Sequence, residues 1–201
     1  MAGRMAQQKE EKKQNLLSSA QELFFKKGVA KTSVDEIVQR ANVAKGTFYL
    51  YFKDKGDLLQ ALVDQMCNRI LERAYLYTKQ HHSPDFTENV LTMMDYVIEY
   101  FKKDKLVLRL LERNFSWPMV ERQLSSQSDP LWQALAADLQ ASPLAQYYTS
   151  DQMFKLIFII IEMCGSICYA SIIEGRPDSI DNMKPMLYDI VRKSLQVPPN
   201  S

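Results

Sequence analysis

Apolar residues recur along this chain at intervals of three and four, the spacing that lays one stripe along a helix. Leu16, Leu17, Ala20, Leu23 and Phe24 form the first stripe, and Gly28 supplies a stop. Ser33-Val34-Asp35-Glu36 reads as a capping box, with Ser33 capping the first turn and Glu36 reaching back. It opens a short helix, Val34–Ala41, that turns Val34, Ile37, Val38 and Ala41 to one side. Asn42 follows, a residue that tolerates the left-handed backbone of a tight turn. Lys45–Tyr51 is a second short amphipathic segment. Asp54 then caps a long helix from about Lys55 to Lys79, striped by Leu58, Leu59, Leu62, Met66, Ile70 and Ala74.

Ser83-Pro84 breaks the pattern at a position where a first-turn proline is permitted. Helical periodicity resumes over Phe86–Lys103 and Leu106–Asn114, and Pro118, Pro130 and Pro143 punctuate a less regular middle. Thr149-Ser150-Asp151-Gln152 offers a second capping box before the apolar run Met153–Ile173. A last helix covers roughly Asp181–Leu195, with Pro185 near its first turns. No strand-like alternation, internal repeat or low-complexity tract interrupts this reading. The pattern predicts an all-α fold of about nine helices: an N-terminal three-helix unit over residues 1–54, and a larger helical domain over 55–201.

Composition narrows the class. The 201 residues are 46% hydrophobic, and six Gly and eight Pro are too few for a collagen-like or disordered chain. Three cysteines, an odd number in a chain this long, fit a reducing compartment better than a disulfide framework. The opening MAGRMAQQKEEKKQ has no apolar run after its charges, unlike a secretory signal. Lys155 and Glu162 interrupt the most membrane-like stretch, and a central carboxylate is costly in lipid. A soluble, cytoplasmic protein without a membrane partner is the expectation.

The net charge of +1 hides an asymmetry. Residues 1–55 carry 11 Lys and Arg against 6 Asp and Glu, a balance of +5; residues 56–201 carry 14 against 18, a balance of −4. A basic first quarter on an acidic remainder suggests a unit that meets a polyanion. The motif inside that quarter agrees. Two short helices joined by the turn Asn42–Ala44 make a helix-turn-helix pattern, whose second helix enters the DNA major groove. Lys45 supplies charge for a phosphate or a guanine edge, and Gly46 lets backbone approach closely. Thr47 offers a hydroxyl and a methyl, and the Tyr49 and Tyr51 phenols can reach phosphate oxygens. Ser33, Lys53 and Lys55 are further candidate phosphate donors. Phe48 and Phe52 read as core beside Ile37 and Val43.

The stretch from Thr32 through Leu59 resembles the signature of the TetR family of transcriptional regulators. The resemblance runs from about residue 10 to 65 and includes Phe24, Gly28, Thr32, Ile37, Ala41, Val43, Gly46, Tyr49, Phe52, Lys55 and Leu58. The remainder matches only in helical layout and length. This resemblance implies a homodimer that reads a palindromic operator in double-stranded DNA, usually as a repressor. It further implies a small molecule in the C-terminal domain that re-spaces the reading units and releases DNA. By position it makes Ser33, Lys45, Thr47, Tyr49 and Lys55 the expected DNA contacts. Three positions depart: Ala44 stands where a hydroxyl residue is usual, Asn42 replaces a common glycine, and Gly56 a common glutamate.

In the C-terminal domain, Met153–Ile173 is apolar nearly all round, which calls for burial on more than one side. Gly165, Ser166 and Ala170 permit close helix approach. With Ile190, Val191 and Leu195 of the last helix they make a candidate two-fold interface. Met93, Tyr96, Val97, Tyr100, Phe115, Trp117, Met119 and Phe158 are candidates to line a cavity for an apolar effector. Glu162, a carboxylate among isoleucines, needs a donor, either a cationic effector or an internal Arg such as Arg109 or Arg113.

Cys164 and Cys168 share a helix face without the further Cys or His a metal site needs, so neither metal nor cofactor is expected. No phosphate loop, nucleophile elbow or catalytic His constellation points to an enzyme. The competing reading is a helical adaptor that uses the same hairpin to bind protein.

Overall fold

The computed structural model describes residues 2–114 and 129–196, with the side chains of residues 2–4 left aside. The chain divides into two compact units, Met1–Met66 and Cys67–Ser201. Nine α-helices and no strand occur among the described residues.

The first unit is built from α1 (Ala2–Lys27), α2 (Val34–Arg40), α3 (Lys45–Tyr49) and the opening turns of α4 (Lys55–Gln80). Leu16, Leu17, Ala20 and Phe24 of α1 are buried, as the stripe predicts, and so are Ile37 and Val38 of α2 and Phe48 of α3, with α2 packed against both α1 and α3. Gly28 ends α1 at φ +85°, a left-handed conformation that a side chain would strain, and its N–H closes on the Phe24 carbonyl at 2.9 Å. The capping box at α2 forms in full: Ser33 Oγ accepts from the Glu36 N–H at 3.3 Å, and Glu36 Oε2 accepts from the Ser33 N–H at 2.9 Å. Asn42 turns the chain at φ +53°.

This packing unit runs on to Met66 because Leu58, Leu62, Val63 and Met66 of α4 are part of its buried apolar set. Such burial, at roughly 25 cal/mol per Å² of apolar surface, is what holds helices as short as α2 and α3, which are too short to persist alone.

The second unit holds the rest of α4, then α5 (Phe86–Lys103), α6 (Lys105–Asn114), α7 (Pro130–Gln140), a 3-10 turn (Pro143–Gln146), α8 (Ser150–Tyr169) and α9 (Ile180–Leu195). The predicted capping box opens α8: Gln152 N–H donates to Thr149 Oγ1 at 3.3 Å, and Thr149 N–H to Gln152 Oε1 at 2.9 Å. A π-turn, Ala170–Glu174, prolongs α8 until Gly175 stops it at φ +70°. Pro185 lies inside α9, six residues past the Ser179 cap. The core gathers Leu91 and Ile98 of α5, Leu108 of α6, Met153, Ile160 and Cys168 of α8, and Leu187, Val191 and Leu195 of α9.

Ser150–Glu174 is long and apolar enough to span a membrane by length and composition, and about a fifth of its most apolar stretch is buried in the chain. Its inner face belongs to the core just named. Ile159 and Ile161 stand exposed on the two flanks of buried Ile160, and Glu162 is exposed too, where the sequence places a carboxylate enclosed by isoleucines. The helix is apolar all round, and the fold within one chain uses only one side.

Polar ties join α5 to α9. Lys184 Nζ donates to Asp95 Oδ1 at 2.6 Å and to Glu99, the Tyr188 hydroxyl donates to Asp95 at 2.5 Å, and Arg192 donates to Glu88 at 3.0 Å. Burial pushes the Tyr188 phenol above its ordinary range, and its hydrogen bond to the Asp95 carboxylate pushes the same way. The phenol therefore stays a donor at any working pH.

Candidate nucleic-acid interface

The candidate interface is the outer side of α3, and a single buried ring determines which side that is. Phe48 is fully buried, packed edge-on to Tyr49 at 5.3 Å and tilted against Phe52 at 5.7 Å between ring centres. With Phe48 locked inward, the 100° step of a helix carries Lys45 and Tyr49 to one flank, Thr47 to the other, and Gly46 to the outermost ridge. Lys45, Gly46 and Tyr49 are exposed, and Thr47 and Tyr51 are half-buried. A Cβ added at Gly46 would meet nothing within 4 Å, so the ridge is bare backbone facing solvent.

The turn before α3 presents its start without a side-chain cap: Ala44 occupies the cap position, and only the Thr47 N–H closes back on its carbonyl, at 2.8 Å. The Val43 N–H reaches the Val38 carbonyl at 3.0 Å, which pins the turn to α2.

Charge near α3 is partly neutralised inside the motif. Lys45 Nζ lies 2.7 Å from Asp35 Oδ1, and that hydrogen bond raises the Lys45 pKa further. Sequence reading used Asp35 only as part of a cap and missed it as the counter-ion of the reading helix. The spacing of ten residues across a turn gives no helical-face signal for such a pair.

Lys55, expected as a free phosphate donor, is engaged at home. Its ammonium donates to the carbonyls of Val29 at 2.8 Å and Thr32 at 2.7 Å, bonds that leave one of its three N–H groups. Lys53 is exposed beside it, and Ser33 is exposed at the start of α2. The Glu36 carboxyl is held down to about 2, first by the Lys27 ammonium and then by the Ser33 N–H and hydroxyl.

Residues 16–62 match the family model described as bacterial regulatory proteins of the tetR family. Over that stretch the chain carries the sequence of a tetR-family DNA-binding region. Among similar proteins, the uncharacterized HTH-type transcriptional regulator YvdT of Bacillus subtilis is 32% identical over 106 residues. That match takes in 52% of this chain and 54% of the relative, so the chain spans about half the length of YvdT.

Solved structures extend the likeness of fold to nearly the whole chain. A TetR-family transcriptional regulator from Streptomyces coelicolor superposes with a TM-score of 0.68 at 17% identity, covering 92% of this chain and 97% of that one. FadR from Bacillus subtilis, solved in complex with stearoyl-CoA, superposes with a TM-score of 0.62 at 14% identity, covering 91% and 99%.

Of the candidate effector residues, Met93, Tyr96, Val97 and Tyr100 are half-buried on α5, where Tyr96 packs its ring 5.2 Å from Tyr77. Phe158 is half-buried on α8, and Glu162 is exposed there. Phe115, Trp117 and Met119 lie outside the described residues.

Of the candidate interface residues, Ser166 and Ile190 are exposed, and Gly165 and Ala170 are half-buried. Val191 and Leu195 are buried in the core of their own chain; they stand on the inward stripe of α9 and are not available to an interface. Ile159, Ile161 and Met186, which the sequence reading did not single out for this role, are further exposed apolar groups on α8 and α9.

Cys164 and Cys168 are thiols that burial pushes up to about 12, where almost no reactive thiolate exists at neutral pH. Among the described residues no three His, Cys, Asp or Glu side chains gather as metal ligands would.

Proposed function

We propose that the protein is a DNA-binding transcriptional regulator, acting as a ligand-responsive repressor. In this reading residues 1–54 read operator DNA, and residues 55–201 bind an effector and pair two chains. The observation that carries the proposal is the inward lock of Phe48, which turns Lys45, Gly46 and Tyr49 of α3 outward from a packed three-helix support. A short helix held this way fits a major groove, where its first residues meet base edges and its flanks meet phosphates. Ser33, Lys45, Thr47, Tyr49 and Tyr51 are the proposed contacts. Lys55 is a positioning residue that ties down the loop leading into α2.

The tetR-family likeness of residues 16–62 favours a homodimer on a palindromic operator, with reading helices about 34–36 Å apart to enter successive major grooves. Ile159 and Ile161 of α8 and Ile190 of α9 supply an apolar outer face for pairing, and Gly165, Ser166 and Ala170 allow backbones to approach. Release follows if an effector binds a differently spaced dimer more tightly, since a ligand shifts an equilibrium only by its differential affinity. The stearoyl-CoA bound by FadR of Bacillus subtilis supports an organic effector with an apolar part for this chain. A regulator of this kind works in the cytoplasm, where its DNA is.

Fluorescence anisotropy with duplexes from the DNA flanking its own gene tests the proposal. Sub-micromolar binding that weakens steeply with salt is expected. Lys45→Glu is expected to abolish that binding while the helical content stays intact. Binding indifferent to salt and to this charge reversal would point instead to an adaptor that docks protein on the same hairpin.

A further inference from the structure

Leu50 ends α3 with 77% of its surface exposed, the most of any large apolar side chain among the described residues. Single exposed leucines are ordinary, so exposure alone carries little. Position carries more. Leu50 keeps helical backbone angles, φ −74° and ψ −21°, and the next two N–H groups both close on the Phe48 carbonyl at 3.0 Å. Its side chain is therefore held in register with the helix. Two residues beyond Phe48, it points about 200° away from that buried ring, and four residues beyond Gly46 it stands on the same outer ridge. The ridge thus consists of bare backbone at Gly46, with open space above it, and one apolar knob at Leu50. Exposed Lys45 and Tyr49 flank it on one side and Thr47 on the other.

We infer that Leu50 is a specificity-determining residue that reads the C5-methyl group of a thymine in each operator half-site. This rests on the DNA-reading function proposed above and names one base in what that function reads. In the major groove each base pair shows a distinct set of groups, and thymine alone shows a methyl. A leucine has no donor or acceptor, so it cannot hydrogen-bond a guanine edge, an adenine N6 or a cytosine N4. Against those it desolvates a polar group without return, whereas against thymine it buries carbon on carbon. Gly46 makes the reach possible, because a side chain there would hold the helix off the groove floor.

The experiment uses the full chain. Duplexes enriched from a random-sequence pool provide the probe, and each symmetric pair of thymines in the enriched duplex is then replaced by deoxyuridine, which deletes only the methyl. For the wild-type protein one such pair is expected to weaken binding about fourfold per half-site, the equivalent of about 0.8 kcal/mol for one buried carbon group. Leu50→Ala is expected to bind the unmodified duplex more weakly and to lose that methyl penalty, with its salt dependence unchanged.

A wild-type protein indifferent to every methyl deletion, or a Leu50→Ala protein that keeps the full penalty, overturns the assignment while leaving DNA reading intact. Failure to enrich any duplex overturns DNA reading itself, and the assignment with it. A change in oligomeric mass for Leu50→Ala without a change in the methyl penalty would make Leu50 a protein contact and also overturn it.

Discussion

Lys45 Nζ and Asp35 Oδ1 sit 2.7 Å apart across the turn of the helix-turn-helix, so the cation best placed for a phosphate is already held by a carboxylate. Both side chains are more than half exposed. An exposed pair of this kind contributes little to stability, but it matters for binding, because the lysine must leave or share its partner to reach DNA.

Asp35→Asn is therefore expected to tighten operator binding, by up to about fivefold on the scale of one exposed ion pair. Lys45→Gln is expected to weaken binding and to flatten the log–log salt slope by about 0.9 per half-site, the signature of one lost phosphate contact. Anisotropy titrations at several salt concentrations separate the two. An Asp35→Asn protein that binds more weakly would mean the carboxylate itself contacts DNA.

Glu36 gives the N-terminal unit an acid-sensitive joint. Its carboxyl falls from the ordinary 4.5 to about 2 in the folded chain, mainly through Lys27 and then Ser33. A carboxyl with a lowered folded pKa stabilises the fold above its unfolded value and loses that contribution as pH falls through the folded one. The α2 cap should thus weaken between about pH 4.5 and 2. Thermal melts across that range are expected to fall less for Glu36→Gln than for the wild type, starting from a lower Tm at neutral pH. Parallel pH profiles for the two proteins would refute the assignment.

Lys55 is expected to behave as a structural cation. Lys55→Met removes donors from the Val29 and Thr32 carbonyls, and loss of charged hydrogen bonds of this kind costs about 1–3 kcal/mol. A drop of several degrees in the Tm of the N-terminal unit is expected, with a salt slope for DNA binding close to that of the wild type. A normal Tm with a flattened slope would instead make Lys55 a phosphate contact.

Pairing through the outer face of α8 and α9 is tested by Ile159→Glu. Ile159 is 59% exposed, so the change leaves the chain's own core alone. It is expected to convert a dimeric mass to a monomeric one in light scattering and to weaken operator binding by at least tenfold, since both half-sites are no longer gripped together. An unchanged mass would place the interface elsewhere.

Much of the fold is legible in local pattern. The stripe Leu16–Phe24, the cap at Ser33, the turn at Asn42 and the cap at Thr149 each act within a few residues, where backbone geometry and side-chain reach decide the outcome. The ends of α2, α3, α4, α6 and α9 moved by one or two residues, whereas the edge of the first unit lies at Met66 rather than at residue 54. α3 stops at Tyr49 where the pattern runs to Tyr51, because Leu50 already closes the helix and both following N–H groups return to Phe48.

The site divides along the same line. That Lys45, Gly46, Thr47 and Tyr49 lie on a short helix after a turn follows from sequence, because spacing along a helix is a local property. Which of them meet solvent follows from Phe48, whose burial depends on the packing of the whole first unit and not on its own short helix. The engagement of Lys55 by Val29 and Thr32, more than twenty residues away, and the loss of Val191 and Leu195 to the chain's own core are likewise tertiary facts. Local sequence determined which helices form and how each is capped. Only the packed structure decided which charges remain free and which apolar faces stay outward, because those depend on atoms distant in the chain competing for the same surface.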